Sequence, residues 1–147
     1  MAAVFIPQKH RDTAERLTSD TKVGGKVFPT YMHLMVFAAM VGAFHNRKVK
    51  LDAKSRGNEI RDDTFVRERF DNIAYLLALH ENQDAEILRD SNDSDCWSAI
   101  ESYSAGGFEI IEEWLIEAPS DVDGVETLMG KIKEIAAKTL ENTDDDV

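Results

Sequence analysis

The chain has 147 residues, of which 43% are hydrophobic and 31% charged. That balance suits one globular domain and argues against wholesale disorder. Cys96 is the only cysteine, which excludes an intrachain disulfide and a multi-cysteine zinc site.

The net charge of −11 is unevenly spread. Residues 1–50 hold eight Lys/Arg against three Asp/Glu, and residues 51–147 hold nine against twenty-five. Such asymmetry suits a basic end facing nucleic acid, an acidic surface facing a basic protein, or simply a solvated surface. The start, MAAVFIPQKH, lacks the basic residues and long apolar run of a signal peptide. A cytoplasmic protein is expected, with no membrane association.

Taken in order, Ala2 to Ile6 is a short apolar run ended by Pro7, and predicts one edge strand. Gln8 to Leu17 has helical composition. Gly24–Gly25 makes the following stretch a loop. Pro29 and Thr30 then open the most hydrophobic segment of the chain, with Thr30 as N-cap. Leu34 to Phe44 carries no charge, so every face of this helix is apolar and should be wrapped by other elements. It is too short for a membrane span, which needs ~20 apolar residues. Ala38 and Gly42, four apart, would let another helix approach closely. The helix should end near His45–Asn46.

The order strand, helix, loop, helix resembles a ribbon-helix-helix DNA-binding unit. In such a unit one face of the strand carries polar side chains into the major groove. Ala2, Ala3, Val4, Phe5 and Ile6 offer none. The cationic turn Arg47-Lys48-Val49-Lys50 complements the dipole of the helix it follows, and could equally contact phosphates. For a DNA-binding protein the candidate contacts are Arg11, Arg16, Lys22, Lys26, Arg47, Lys48 and Lys50.

Leu51 to Glu59 is polar, with Gly57 as a breaker. Ile60, Phe65, Phe70, Ile73, Leu76, Leu77 and Leu79 outline a buried stripe on one or two helices ending near Asn82. A short helix is expected around Asp84–Leu88. Asp90 to Glu101 places Asp90, Asn92, Ser94, Ser98 and Glu101 at EF-hand ligand positions, but Asp95 replaces the required glycine. An acidic loop capping the next helix is the better reading, and no metal is expected.

That helix should run from about Cys96 to Glu117, with Trp97, Ile100, Tyr103, Ile110, Ile111, Trp114 and Leu115 inward. Gly106–Gly107 in its middle means either a break or the close packing of another backbone, because glycine costs ~1 kcal/mol in a helix interior. Val122 to Leu140 reads as a last amphipathic helix, with Val125, Leu128, Met129, Ile132, Ile135, Ala136 and Leu140 inward. Residues 142–147 read as an acidic disordered tail beyond a single helical domain, 1–141.

No catalytic constellation stands out. His10, His33, His45 and His80 are scattered, and Cys96 has acidic neighbours that would raise its pKa. Neither an enzyme nor a cofactor is expected.

The segments PTYMHLMVFAAMVGAFHNRKVKL, EIRDDTF, IAYLLALHENQDAEIL and ESYSAGGFEIIEE, in this order, resemble the Dnd system-associated protein 4 family over about residues 28–117. Its Tyr-x-x-Gly-Gly element is matched by Tyr103, Gly106 and Gly107, here with Ser104 and Ala105 between. The family accompanies bacterial systems that place phosphorothioate in the DNA backbone, or that restrict DNA lacking it. The resemblance therefore implies an accessory protein of an anti-phage defence system. It brings no catalytic residues.

Together these readings predict a mainly α domain of five to seven helices around one buried central helix, with a short N-terminal strand. Two functions follow: a non-catalytic adaptor that binds other proteins of the defence system, or a DNA-binding regulator using the basic N-terminal region. Oligomeric state, a homodimer included, stays open.

Overall fold

The computed structural model describes residues 3–82, 85–88 and 93–145. The chain passes through β1 (Ala3–Pro7), α1 (Arg11–Leu17), α2 (Tyr31–Phe44), β2 (Arg56–Arg61), α3 (Asp62–Arg67), α4 (Asp71–Asn82), α5 (Asp93–Glu117) and α6 (Val125–Asp145). Single 3₁₀ turns precede α1 (Gln8–His10) and β2 (Ala53–Ser55), and another follows α4 (Ala85–Leu88). The architecture is mainly α around a central helix with a short N-terminal strand, as the sequence predicts.

The central helix has the predicted bounds. Thr30 is extended at the N-cap, and its hydroxyl accepts the His33 N–H at 3.3 Å. At the other end Asn46 turns left-handed (φ 53°), a conformation that asparagine tolerates better than most residues. The Arg47 N–H then returns to Gly42 O at 2.8 Å and the Asn46 N–H to Ala43 O at 3.2 Å. These two bonds form a Schellman stop. One face of α2 departs from expectation. Met40 (54% exposed) and Phe44 (51%) stay open to solvent, so the helix is wrapped on most sides but not all.

The Gly106–Gly107 pair does not break α5, which is continuous across it. Its purpose is close packing. A Cβ on Gly107 would overlap the Ala38 carbonyl, one on Gly106 the Arg47 carbonyl, and one on Gly42 the Tyr103 carbonyl. The two helices therefore touch backbone to backbone. The predicted apolar face of α5 is buried from Trp97 to Leu115, together with Phe108. α5 begins at Asp93 rather than near Cys96, so Ser94 and Asp95 lie within its first turn, not before it. α5 is already helical at Asp93, the fourth position of an EF-hand loop counted from Asp90, so residues 93–101 cannot wrap a cation as such a loop does; Asp90 and Asn92 lie outside the described residues.

β2 was not predicted, and replaces the expected polar loop and helix start. It pairs antiparallel with β1 (Val4 opposite Ile60, Phe5 opposite Glu59), and the register slips between Phe5 and Pro7. Gly57 permits the pairing, because a Cβ there would lie 2.6 Å from Ile6 O. β1 thus has its partner within the same chain, with Val4, Ile6 and Pro7 buried. It is not the free strand that a ribbon-helix-helix unit inserts into DNA.

The stripe predicted over residues 60–79 is partly relocated. Phe65 and Leu77 are buried as expected and Ile60 is buried on β2, but Leu76 is 60% exposed. α4 instead lays Ala74, Leu77 and Ala78 inward, a small-residue face set against α5. α6 differs more. Of the seven residues predicted inward only Leu128 is buried, while Met129, Ile132, Ala136 and Leu140 are exposed. α6 also runs past the predicted end at Leu140.

The glycines yield opposite expectations for one kind of substitution. Gly107→Ala should destabilise by roughly 3 kcal/mol, since α2 or α5 must shift to relieve the overlap. Gly130→Ala in α6 meets nothing within 4 Å, and should stabilise by about 0.5–1 kcal/mol through helix propensity. Urea unfolding of both variants reads the signs; equal effects would contradict this packing.

Candidate functional site

The turn after α2 is held by the same close contact. The Arg47 carbonyl lies against Gly106, and the Val49 N–H donates to Ser102 O at 2.9 Å. The chain then enters the Ala53–Ser55 turn. There the Asp52 carboxylate accepts from the Ser55 N–H (2.9 Å) and hydroxyl (2.8 Å), bonds that hold its pKa below the ordinary range. Residues 47–55 are thereby tied at both ends.

Against the opposite wall, formed by Pro7, Gln8 and Lys9, this segment encloses a cleft of about 410 Å³. Lys50, Lys54 and Lys9 line it, with the Ser55 and Gln8 side chains as further polar groups. No carboxylate lines it. Four other clefts each carry at least one: Asp62, Glu112, Glu101 and Asp121 are examples. An adjoining cleft shares Lys50 and Leu51, and adds Lys48 and Arg56 together with Glu81, Asp95 and Glu101.

The structure separates the seven cations singled out in the sequence. Arg16 donates to the Val122 and Asp121 carbonyls, both at 2.7 Å. Arg47 pairs with Glu113 at 2.9 Å. Lys48 pairs with Glu81 at 2.6 Å, a hydrogen bond that raises its pKa, and stands 6.0 Å from the Tyr103 ring centroid. Lys22 lines a distant-in-sequence cleft with Asp121 and Asp123, and its backbone N–H donates to Asp123 at 3.1 Å. Lys26 is exposed and pairs through its backbone with Asp20; Arg11 is exposed on α1. Lys50 alone of the seven lines the cation-only cleft. Among the described residues neither Lys50 nor Lys54 has a carboxylate partner, whereas Lys9 leans on Glu109 at 3.2 Å.

α5 receives the N-terminal segment through its acids. Glu112 accepts from Thr13 Oγ1 at 2.8 Å and sits 2.7 Å from His10 Nδ1. His10 is 2% exposed, stacks on Phe108 and has no described partner at Nε2. Its burial denies it access to substrate, so the His10–Glu112 pair is a joint between the N-terminal turn and α5. Glu101 accepts the Phe5 N–H at 2.9 Å, and Arg56 lies 4.9 Å from the Phe5 ring centroid. Burial raises the Glu101 carboxyl above its usual value, outweighing the Phe5 N–H and the Arg56 charge.

A family model covers residues 4–146 of the chain, well beyond the segments that carry the sequence resemblance. The chain belongs to the DNA sulphur modification system-associated protein 4 family. Membership ties it to a DNA sulphur modification (Dnd) system, as the resemblance implied. No curated protein and no solved structure matches the chain. No described helix is long and apolar enough to cross a membrane, and no described cluster of His, Cys, Asp or Glu could hold a metal ion.

For this family member, sequence reasoning singled out the Arg47–Lys50 turn but not Lys9 or Lys54 as its neighbours. Lys9 arrives through the β1–β2 pairing, which nothing in the sequence announced. Lys54 had a local signal, the Asp52-x-x-Ser55 spacing of a capped turn.

The buried Glu101 generates a pH dependence with a defined sign. Its folded pKa is raised, so its contribution to stability is fullest below the ordinary glutamate value of 4.5. That contribution declines as pH rises from there through the raised folded value. Glu101→Gln keeps an acceptor for the Phe5 N–H and removes the charge. The variant should gain stability relative to the parent between about pH 4.5 and pH 7 in urea unfolding. An identical difference at both pH values would refute the assignment.

Proposed function

We propose that this chain is a non-catalytic accessory protein of a Dnd-linked anti-phage defence system, and that it acts in the cytoplasm by binding another protein of that system. The observation that carries the reading is the open face of α6. Met129, Ile132, Ala136 and Leu140 follow one another at helical spacing on its solvent side. Such a row fits the apolar face of a partner helix, through i, i+3 and i+7-type anchors.

The base of α6 is fixed, which keeps that row in place. Asp121 accepts from the Thr127 N–H (2.8 Å) and hydroxyl (2.7 Å), which lowers its pKa. Leu128 is buried, and Lys131 reaches Glu117 at 3.5 Å. A partner would meet a prepared surface rather than a mobile arm, so little ordering entropy opposes binding.

Affinity capture with the reconstituted products of the system's own operon tests the proposal. The parent chain should retain one of them, and Met129→Glu with Ile132→Glu should weaken that capture by roughly 30-fold or more. Both residues are exposed, so the fold should survive, as circular dichroism would verify. A parent that captures no other component refutes the reading. So does a doubled mass in solution that the same variant abolishes, because α6 would then join two copies of the chain.

A further inference from the structure

The cleft between residues 7–9 and 49–55 has a property that the four other clefts described lack. The chain carries a net charge of −11, yet lysines alone supply the charge lining this cleft. We propose that it binds the phosphodiester backbone of a nucleic acid, with Lys50 and Lys54 as the phosphate ligands and Lys9 at the rim. This site is separate from the α6 face and does not depend on the adaptor reading.

Three observations carry the proposal. First, Lys50 and Lys54 are exposed and have no carboxylate partner among the described residues, unlike Arg47 and Lys48 beside them. Uncompensated lysines in one concavity repel each other, and an anion removes that repulsion. Second, the segment bearing them is already ordered. The Val49 N–H bond to Ser102, the Asp52 cap on Ser55 and the Gly106 contact hold its backbone. A ligand therefore meets donors in place and does not have to order a loop.

Third, the donor chemistry suits phosphate. Lysine ammoniums bind phosphate oxygens as compact point charges that demand no fixed anion geometry. The row of cations also continues: the adjoining cleft shares Lys50 and adds Arg56, with Lys48 held there by Glu81. A single free phosphate would engage one cleft, whereas a backbone presents a charge at each successive nucleotide. Of the three carboxylates of that second cleft, Glu81 is engaged by Lys48 and Glu101 by the Phe5 N–H, while Asp95 is exposed at its edge. The net charge of −11 opposes approach of a polyanion to the surface as a whole, which favours contact at a cleft lined by cations.

Fluorescence anisotropy of the full chain with a short labelled duplex tests the site. Three phosphate contacts give a slope of about −2.7 in log affinity against log salt, roughly a 40-fold loss between about 50 and about 200 mM salt. Lys50→Glu with Lys54→Glu should abolish binding at the lower salt. Lys50→Gln with Lys54→Gln should cut the slope to about −0.9. A charge-matched control on α6, Lys133→Glu with Lys138→Glu, should bind like the parent.

Equal loss in the control would overturn the proposal, because net charge and not this cleft would then govern binding. It would also be overturned by a parent that fails to bind duplex at the lower salt. Calorimetry with inorganic phosphate supplies the last arm: saturable phosphate binding without duplex binding would reassign the cleft to a free anion. Partner capture through α6 should be unchanged in the Lys50/Lys54 variants, so failure of one reading stays distinguishable from failure of the other.

Discussion

Everything else in this fold depends on the backbone contact between α2 and α5. Three glycines make it: Gly42 on one helix and the Gly106–Gly107 pair on the other. Two glycines in the interior of a 25-residue helix cost about 2 kcal/mol in propensity. The offset is the large apolar area buried when side chains on both flanks of the crossing close over it. Leu34, Met35 and Ala38 of α2 and Ile100, Phe108 and Ile111 of α5 are all at 0% exposure. At ~25 cal/mol per Å², burying several such side chains outweighs the glycine cost. The same contact fixes where α2 must stop, because the Arg47 carbonyl lies on Gly106. The position of the cationic segment is thus set by core packing together with the Asn46 stop and the Asp52 cap.

Charge then has a different meaning from the one its distribution suggests. A basic first third and an acidic remainder look like two surfaces made for two partners. In the folded chain they largely meet each other. Glu109, Glu112 and Glu113 of α5 take up Lys9, His10 with Thr13, and Arg47. The exposed pairs among them, Lys9–Glu109 and Arg47–Glu113, contribute ~0–1 kcal/mol each, so they orient the N-terminal segment more than they hold it. They take up Lys9 and Arg47, and Glu81 takes Lys48, whereas Lys50 and Lys54 have no carboxylate partner among the described residues.

The sequence made the fold legible where a single residue has a single physical use. Thr30 as a cap and Asn46 near the helix end each allow few explanations, and the structure supports the readings drawn from them; the glycine pair left a break or turn open beside close packing, and the continuous α5 excludes the turn. It was illegible where the decisive contact is remote. β2 is Arg-Gly-Asn-Glu-Ile-Arg, with Ile60 its only buried residue, so no alternation marks it as a strand. Its strand character comes from the Ile6 carbonyl that Gly57 admits. The candidate site divides in the same way. The Arg47–Lys50 turn is visible as a charge run, but which of its cations remain uncompensated is decided by glutamates 33 and 66 residues away.

α6 shows the limit of periodicity as evidence. Its apolar spacing is the strongest of the later helices, and predicts burial equally well whether the covering surface belongs to this chain or to another. Here α5 covers only the start, through Leu128 and the partly buried Ile135, because the chain turns at Gly124 (φ 78°) against Leu17 and Leu115. The Arg16 bonds to the Asp121 and Val122 carbonyls lock that turn. Beyond Ile135 no described residue of α6 is buried, and Leu140 is 67% exposed. An exposed leucine alone means little, since much of any protein surface is apolar. A row of them on a helix whose direction is pinned at its base is a different matter, because the fold could have buried the row by a looser turn. Arg16, a residue first noticed as a possible phosphate contact, is placed by the structure at the turn from which α6 starts, bonded to the Asp121 and Val122 carbonyls.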